Sequence, residues 1–197
     1  MKDLSTLHYY DDNAESYIND TLYADMHCLQ DKFISFLPEK AHILDAGCGS
    51  GRDTCYFLNR GFSVTAIDAS EKMCELASRV INQSVLHMSF EEIPFVNEFD
   101  GIWACASILH VERSNQNKVI KKISDALKPN GIFYISWKYG KKEYYVEDRL
   151  YCDMTEELIL DLIKNDDNLS ILNMWQTYDV RGKNGSQKWL NVILRRR

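Results

Sequence analysis

The stretch Ile43-Leu44-Asp45-Ala46-Gly47-Cys48-Gly49-Ser50-Gly51-Arg52 restricts the fold more than any other part of this chain. Two apolar residues lead into an acidic one, and glycine then recurs at every second position. Residues 41–46 read as a short buried strand and the chain from Thr54 onward as a helix, so the glycines fall at a strand-to-helix turn. There they adopt backbone angles closed to other residues and leave no side chain between the main chain and a ligand. The N–H groups opening the helix add a positive end suited to a carboxylate or another anion. A tight turn with nothing bound is the plain alternative, but three alternating glycines exceed what a turn needs.

A dinucleotide-binding fingerprint runs G-x-G-x-x-G/A. Counted from Gly47 and Gly49, its last position falls on Arg52, which does not fit. The chain has G-x-G-x-G instead, with Asp45 two residues ahead of the first glycine. This pattern resembles the first motif of the class I S-adenosylmethionine-dependent methyltransferases. The longer run GSGRDTCYFLNRGFSVTAIDAS resembles their small tellurite-resistance-type and ubiquinone-biosynthesis-type members. The resemblance extends more loosely from about Tyr9 to the C-terminus.

A chain of 197 residues buries one good core, so one domain over 1–197 is the expectation. Its charge of −6 argues against a nucleic-acid partner, which usually demands a basic face. The one basic cluster, Arg195-Arg196-Arg197, follows the last apolar residue and reads as a solvated tail. No signal pattern and no apolar run of about 18 residues is present, so neither secretion nor a membrane span is expected. Six cysteines (28, 48, 55, 74, 105 and 152) form no C-x-x-C pair and no zinc-like spacing. They read as reduced thiols of a cytoplasmic protein without a metal site. Cys48 stands apart, inside the glycine turn.

Taken in order, residues 1–38 read as N-terminal cap helices. Leu29, Phe33, Phe36 and Leu37 share one helical face, and Pro38 ends that helix. Tyr9, Tyr10 and Tyr17 serve equally well as packing or as a lid, and in the resembling families a Tyr-rich N-terminal segment closes over the cofactor. After the glycine turn, Gly61 ends a helix from Thr54, and Ser63–Ile67 forms a strand tipped by Asp68. An acidic residue there, 21 positions past Gly47, can accept bonds from both hydroxyls of a ribose. Asp68 could also cap the next helix, but Ser70 suits that task and frees it. The helix from Glu71 places Met73, Ala77, Val80 and Ile81 inward. A third strand spans residues 84–88, a fourth residues 99–106 and a fifth residues 132–137.

The turn Ser89-Phe90-Glu91-Glu92-Ile93-Pro94 resembles the family's adenine-binding segment, with Ser89 where an acidic residue often stands. Cys105 to Val111 lies past the end of the fourth strand, where ligands sit in open α/β sheets. His110 is the near-neutral titrator there, either a base for the acceptor or a histidine bonded to backbone and holding the loop. A helix begins at Ser114 and stops at Lys128-Pro129-Asn130-Gly131. Trp137-Lys138-Tyr139-Gly140 is placed to wall an acceptor pocket, or to pack the sheet edge. Residues 141–152 lack a clear period and read as an acceptor-side loop. Thr155 caps a further helix, and residues 171–180 and 187–194 read as strands about a turn at Gly182-Lys183-Asn184-Gly185.

The expected fold is therefore α/β: one doubly wound, mostly parallel seven-stranded sheet, Rossmann-like, with a C-terminal antiparallel hairpin. The resemblance implies S-adenosylmethionine as cofactor, S-adenosylhomocysteine as product and a small molecule as methyl acceptor. It places cofactor contacts at Tyr10, Tyr17, Asp45, Gly47, Cys48, Gly49, Gly51, Arg52, Asp68, Ala69, Ser89, Phe90 and Cys105, with His110 the candidate for catalysis. A nicotinamide oxidoreductase and a non-catalytic cofactor-binding protein stand as alternatives. Acceptor identity and oligomeric state are not legible in the residues.

Overall fold

Hydrophobic strands flanked by amphipathic helices build a seven-stranded sheet with helices on both faces. The computed structural model describes residues 4–164, 166, 168–181 and 186–197. Three short helices, α1 (Ser5–Asp12), α2 (Ala14–Thr21) and α3 (His27–Ile34), precede the sheet. Then follow β1 (His42–Ala46), α4 (Arg52–Asn59), β2 (Ser63–Asp68), α5 (Glu71–Ile81), β3 (Leu86–His87), β4 (Phe99–Ala104), α6 (Arg113–Ala126) and β5 (Leu127–Lys138). The chain continues through β6 (Glu143–Val146), β7 (Arg149–Cys152), α7 (Glu156–Ile163), β8 (Leu169–Tyr178) and β9 (Lys188–Arg196). Strand order is β3-β2-β1-β4-β5-β9-β8, and β6 with β7 forms a separate two-stranded hairpin. The first five strands run parallel, whereas β9 is antiparallel to both β5 and β8. The doubly wound sheet and its terminal antiparallel pair are those expected from the sequence.

Alternation along the inner strands supplies both faces of the core. Leu44, Ile102, Phe133 and Val192 meet Ile120 and Ile123 of α6 on one side. Their neighbours Ile43, Trp103, Tyr134 and Ile193 meet Phe33 of α3 and Phe57 of α4 on the other. Trp103 stacks on Tyr134 with ring centroids 3.9 Å apart. Such two-sided burial explains why these strands read as nearly unbroken apolar runs.

The winding reverses between β1 and β4. The chain leaves β1 toward β2, while β4 leads away toward β5, so a crevice opens between their carboxyl ends. The glycine turn follows β1 and the segment 105–111 follows β4, which brings both to that crevice.

Several local expectations are corrected. The helix expected to run to Pro38 ends at Ile34, leaving Phe36 exposed. Val80 lies outside the buried face of α5, where Cys74 takes its place. The third strand shrinks to Leu86–His87 because it sits at the sheet edge with a single neighbour. Helix α6 is preceded by Glu112 rather than started by Ser114. Lys128-Pro129-Asn130-Gly131 interrupts β5 instead of preceding it: the pairing jumps from Phe99–Leu127 to Gly101–Ile132, and Asn130 takes a φ of +65°.

The segment expected to be a loop over 141–152 is largely the β6–β7 hairpin, with Tyr144 paired to Tyr151. Strands of only four residues each are too short for a period-two pattern to stand out. The terminal arginines are not simply a solvated tail, since Arg196 ends β9 and its guanidinium binds Asn97 Oδ1 and the Leu127 carbonyl. The turn expected at Gly182 to Gly185 lies outside the described residues. Among the described residues, no helix is long and apolar enough to cross a membrane.

Candidate functional site

Two cavities lie over the carboxyl ends of β1 and β4, and they share Tyr10, Tyr17, Ala106 and His110 in their walls. The first, of about 560 Å³, runs over the glycine turn and the tip of β2. Gly47, Gly49, Asp68, Ala69, Ser89 and Phe90 line it. These six come from three separate segments of the sequence reading, and the fold brings them to one crevice.

The crevice has its shape because the turn is built from glycine where nothing larger fits. Gly47 has a φ of +78°, and a Cβ there would lie 2.5 Å from the Cβ of Ser107. The Ser107 hydroxyl in turn donates to the Ala46 carbonyl at 2.8 Å, fastening the end of β4 to the end of β1. A Cβ on Gly49 would come within 3.3 Å of the Tyr17 ring. Gly51 serves a different purpose. It is the residue ahead of α4 in the left-handed conformation, and its missing side chain admits Ile81 of α5, 2.7 Å from where a Cβ would be. It lines neither cavity.

Asp68 is held from both sides by main chain. Its Oδ2 accepts from the Gly49 N–H at 2.9 Å and its Oδ1 from the Ser70 N–H at 3.0 Å. Burial pushes its carboxyl above the usual carboxylate range, against the pull of those backbone donors. Each oxygen keeps a further acceptor position, so the pair can receive two more hydroxyls side by side. Ser70 caps α5, accepting from the Met73 N–H at 3.0 Å, which leaves Asp68 free of that task as the sequence suggested. Ser89 is tied down: its N–H and its hydroxyl both donate to Glu92 Oε2, at 2.8 and 2.7 Å.

The remaining candidates sit off the crevice. Asp45 is buried beneath the turn and accepts from the Thr54 hydroxyl at 2.6 Å. Burial, reinforced by the nearby Asp53 charge, pushes its carboxyl up to about 8. Cys48 is buried against α5, and burial raises its thiol well above the usual range. Arg52 and Cys105 line the second cavity. The Cys105 thiol is pushed up to about 12 by burial, which favours its protonated form near pH 7.

Arg52 was not assigned a partner by sequence reasoning, which also missed Asp53. The carboxylate of Asp53 accepts from Arg52 Nε and Nη2 at 2.8 Å each, from Trp103 Nε1 at 2.8 Å and from Gln30 Nε2 at 2.6 Å. Burial opposes the charge of Asp53, but the guanidinium and those donors hold its carboxyl below the usual range. A buried acid with four donors fixes α3, α4 and β4 to one another.

The first helix covers the crevice and is bonded to three separate parts of the chain. Asp11 Oδ1 accepts from the Ser70 hydroxyl at 2.6 Å, and Thr6 Oγ1 accepts from the Leu150 N–H at 2.9 Å. Tyr10 Oη lies 2.8 Å from His110 Nε2. His110 Nδ1 lies 2.6 Å from the Leu150 carbonyl, which can only accept, so Nδ1 carries the proton and Nε2 receives the Tyr10 hydroxyl. Burial lowers the imidazole to about 4, with Arg149 and Lys138 also disfavouring its charge. The ring is therefore neutral near pH 7, with both nitrogens engaged.

The second cavity, of about 650 Å³, is floored by Tyr134, Ser136 and Asn191 and walled by Tyr10, Tyr17 and Tyr151. Trp137 and Tyr139, expected to wall an acceptor pocket, line neither cavity. Trp137 belongs to the sheet core, fully buried, because it alternates inward opposite Leu190. Lys138, between them, does reach the second cavity.

Comparison with known proteins places this geometry. Residues 43–131 match the model of a methyltransferase domain family. A Bacillus subtilis protein named as a methyltransferase, YqeM, is 30% identical over 148 residues, covering 70% of this chain and 60% of the relative. The ubiquinone biosynthesis O-methyltransferase of Rickettsia felis is 34% identical over 112 residues, covering 54% of this chain and 45% of that one. The chain thus spans less than two thirds of the length of these curated relatives. Burkholderia thailandensis 1,6-didemethyltoxoflavin-N1-methyltransferase, solved with bound 1,6-didemethyltoxoflavin and S-adenosylhomocysteine, superimposes with a TM-score of 0.77 at 25% identity, over 96% of this chain and 84% of that one. Beside the glycine turn, the acidic tip of β2 and the doubly wound sheet, residues 43–131 thus match a methyltransferase domain, and the chain is similar to Rossmann-like S-adenosylmethionine-dependent methyltransferases.

Proposed function

We propose that this chain transfers a methyl group from S-adenosylmethionine to a small-molecule acceptor by direct displacement. The observation that carries the proposal is the junction of the two cavities at Tyr10, Tyr17, Ala106 and His110. One cavity fits a nucleoside and the other is large enough for a second small molecule, so donor and acceptor can meet at the junction.

The residues of the crevice fit the cofactor. Asp68 offers two adjacent acceptor oxygens to the ribose hydroxyls, and the β3–β4 segment offers Phe90 as an apolar face beside Ser89 for the base. Gly47 and Gly49 bring bare main chain to the methionine half. Asp45 acts from below, holding the start of α4 through Thr54, and is a positioning residue. When bound, S-adenosylmethionine supplies a methyl already made electrophilic by its sulfonium, so the protein chiefly has to align the reactants. The Rickettsia felis relative named as an O-methyltransferase and the Burkholderia thailandensis N1-methyltransferase support the class of reaction while differing in the atom methylated.

His110 is a positioning residue in this reading. Its Nδ1 proton is given to Leu150 and its Nε2 accepts from Tyr10, so no ring nitrogen is free for the acceptor. Tyr10 is likewise a positioning residue, its hydroxyl shared between His110 Nε2 and the Arg149 guanidinium.

Calorimetric titration with S-adenosylhomocysteine tests the proposal, with NADH as the control ligand. Saturable binding of the first alone is expected, and Asp68→Ala should weaken it about a hundredfold, as for two lost bonds to a charged group. Equal binding of NADH, or unchanged affinity in Asp68→Ala with the variant still folded, would overturn it.

A further inference from the structure

Four cations line the second cavity, and two of them stand against the same tyrosine ring. Arg52 is matched by Asp53, and Arg181 donates from Nε and Nη2 to Asp179 at 3.1 and 2.8 Å. Lys138 and Arg149 differ. Lys138 Nζ sits 3.5 Å from the centroid of the Tyr151 ring; the charges of Asp153 and Asp179 reach it, but among the described residues it forms no close ion pair. The Arg149 guanidinium lies 5.5 Å from the centroid of that same ring and 4.1 Å from that of Tyr9. Its Nη2 reaches Glu147 Oε2 at 3.0 Å, on a side chain largely in solvent. Its Nε is buried with no partner among the described residues.

Two cations flanking one ring in a half-buried space repel each other, and burial disfavours each. The cost is visible in the neighbours: Arg149 and Lys138 both disfavour the charge of His110, and burial lowers Lys138 itself. Two further acids that line this cavity, Asp20 and Asp25, are exposed. An anion between Lys138 and Arg149 would relieve the repulsion and give Arg149 Nε a partner.

We propose that the methyl acceptor is a small planar molecule bearing an acidic group, which lies between Lys138 and Arg149 while its body rests among Tyr10, Tyr17 and Tyr151. The tyrosine rings supply flat apolar walls suited to such a body. Tyr151 is 5.0 Å from His110, ring centroid to centroid, so the acid-binding end adjoins the junction where the two cavities meet. This assignment rests on the methyl-transfer reading of the site, of which it names the substrate class.

Ligand-observed NMR with matched acid and amide pairs tests it: benzoate against benzamide, and indole-3-acetate against indole-3-acetamide, on protein saturated with S-adenosylhomocysteine. At least one acid should bind, with its amide about tenfold weaker or more, and Lys138→Met and Arg149→Met should each weaken the acid about tenfold. Neither acid binding, amides matching acids, or unchanged acid binding in both variants would overturn the proposal. Nucleoside affinity is measured calorimetrically in the same samples and should not move in Lys138→Met, since Lys138 does not line the first cavity. If wild-type protein fails to bind the nucleoside, the methyl-transfer reading falls, and the acid–amide contrast, measured without nucleoside, then decides the anion site separately.

Discussion

Asp68 and Gly47 carry the site at the residue scale, one by what it offers and the other by what it lacks. A methyl on Gly47 would drive into Ser107 at a φ of +78°, where side chains are already strained. Gly47→Ala is expected to cost about 2 kcal/mol or more of stability, read as a lowered Tm, and to break the Ser107–Ala46 fastening. The buried acids and His110 set the pH response. Asp45, raised to about 8, contributes stability that is full below its unfolded value and lost as pH rises toward 8. His110, lowered to about 4, contributes stability that is full above its unfolded value and lost as pH falls toward 4. Below the ordinary histidine pKa the two trends oppose, and above it only the Asp45 trend remains. Unfolding free energy should therefore decline between about pH 6.5 and 8, by about 1 kcal/mol per unit, and Asp45→Asn should abolish that decline in denaturant titrations.

Among the elements, α1 decides whether the crevice is covered. Its bonds from Asp11, Tyr10 and Thr6 reach α5, His110 and β7, none near it in sequence. Asp11→Ala should raise amide exchange across residues 5–12, with nucleoside affinity reduced several-fold; unchanged exchange would show that this tie does not hold the helix. These ties explain which parts of the site were legible in the sequence. The glycine turn, Asp68 and Ser70 act within one strand–turn–helix unit, so spacing alone betrays them. Tyr10 and His110 were singled out separately, but their contact spans 100 positions and no local pattern encodes it. Asp53 was missed because its partners Gln30 and Trp103 come from other elements, and in sequence it is one more acid in a first helical turn. The β6–β7 hairpin was missed because two strands of four residues carry too little periodicity.

For the whole molecule, the reversal of winding between β1 and β4 creates the crevice, and the hairpin with α1 encloses a second space beside it. The apolar strand runs revealed the sheet, because parallel strands buried on both faces must read that way. The second cavity was not legible, since its wall draws on α1, α2, β5, β7 and the β8–β9 pair at once. A two-sided core of this kind tolerates little loss at its centre. Trp103→Ala should destabilise the chain by about 3–5 kcal/mol in a denaturant titration, since it also strips Asp53 of a donor. A crystal structure of the chain with S-adenosylhomocysteine tests the central assignment most directly. The nucleoside should lie along the glycine turn with its ribose hydroxyls on the Asp68 carboxylate, its base at Phe90 and its sulfur facing the second cavity past Tyr10 and Tyr17. A nucleoside bound elsewhere, or a crevice that excludes it at saturating concentration, would contradict the assignment.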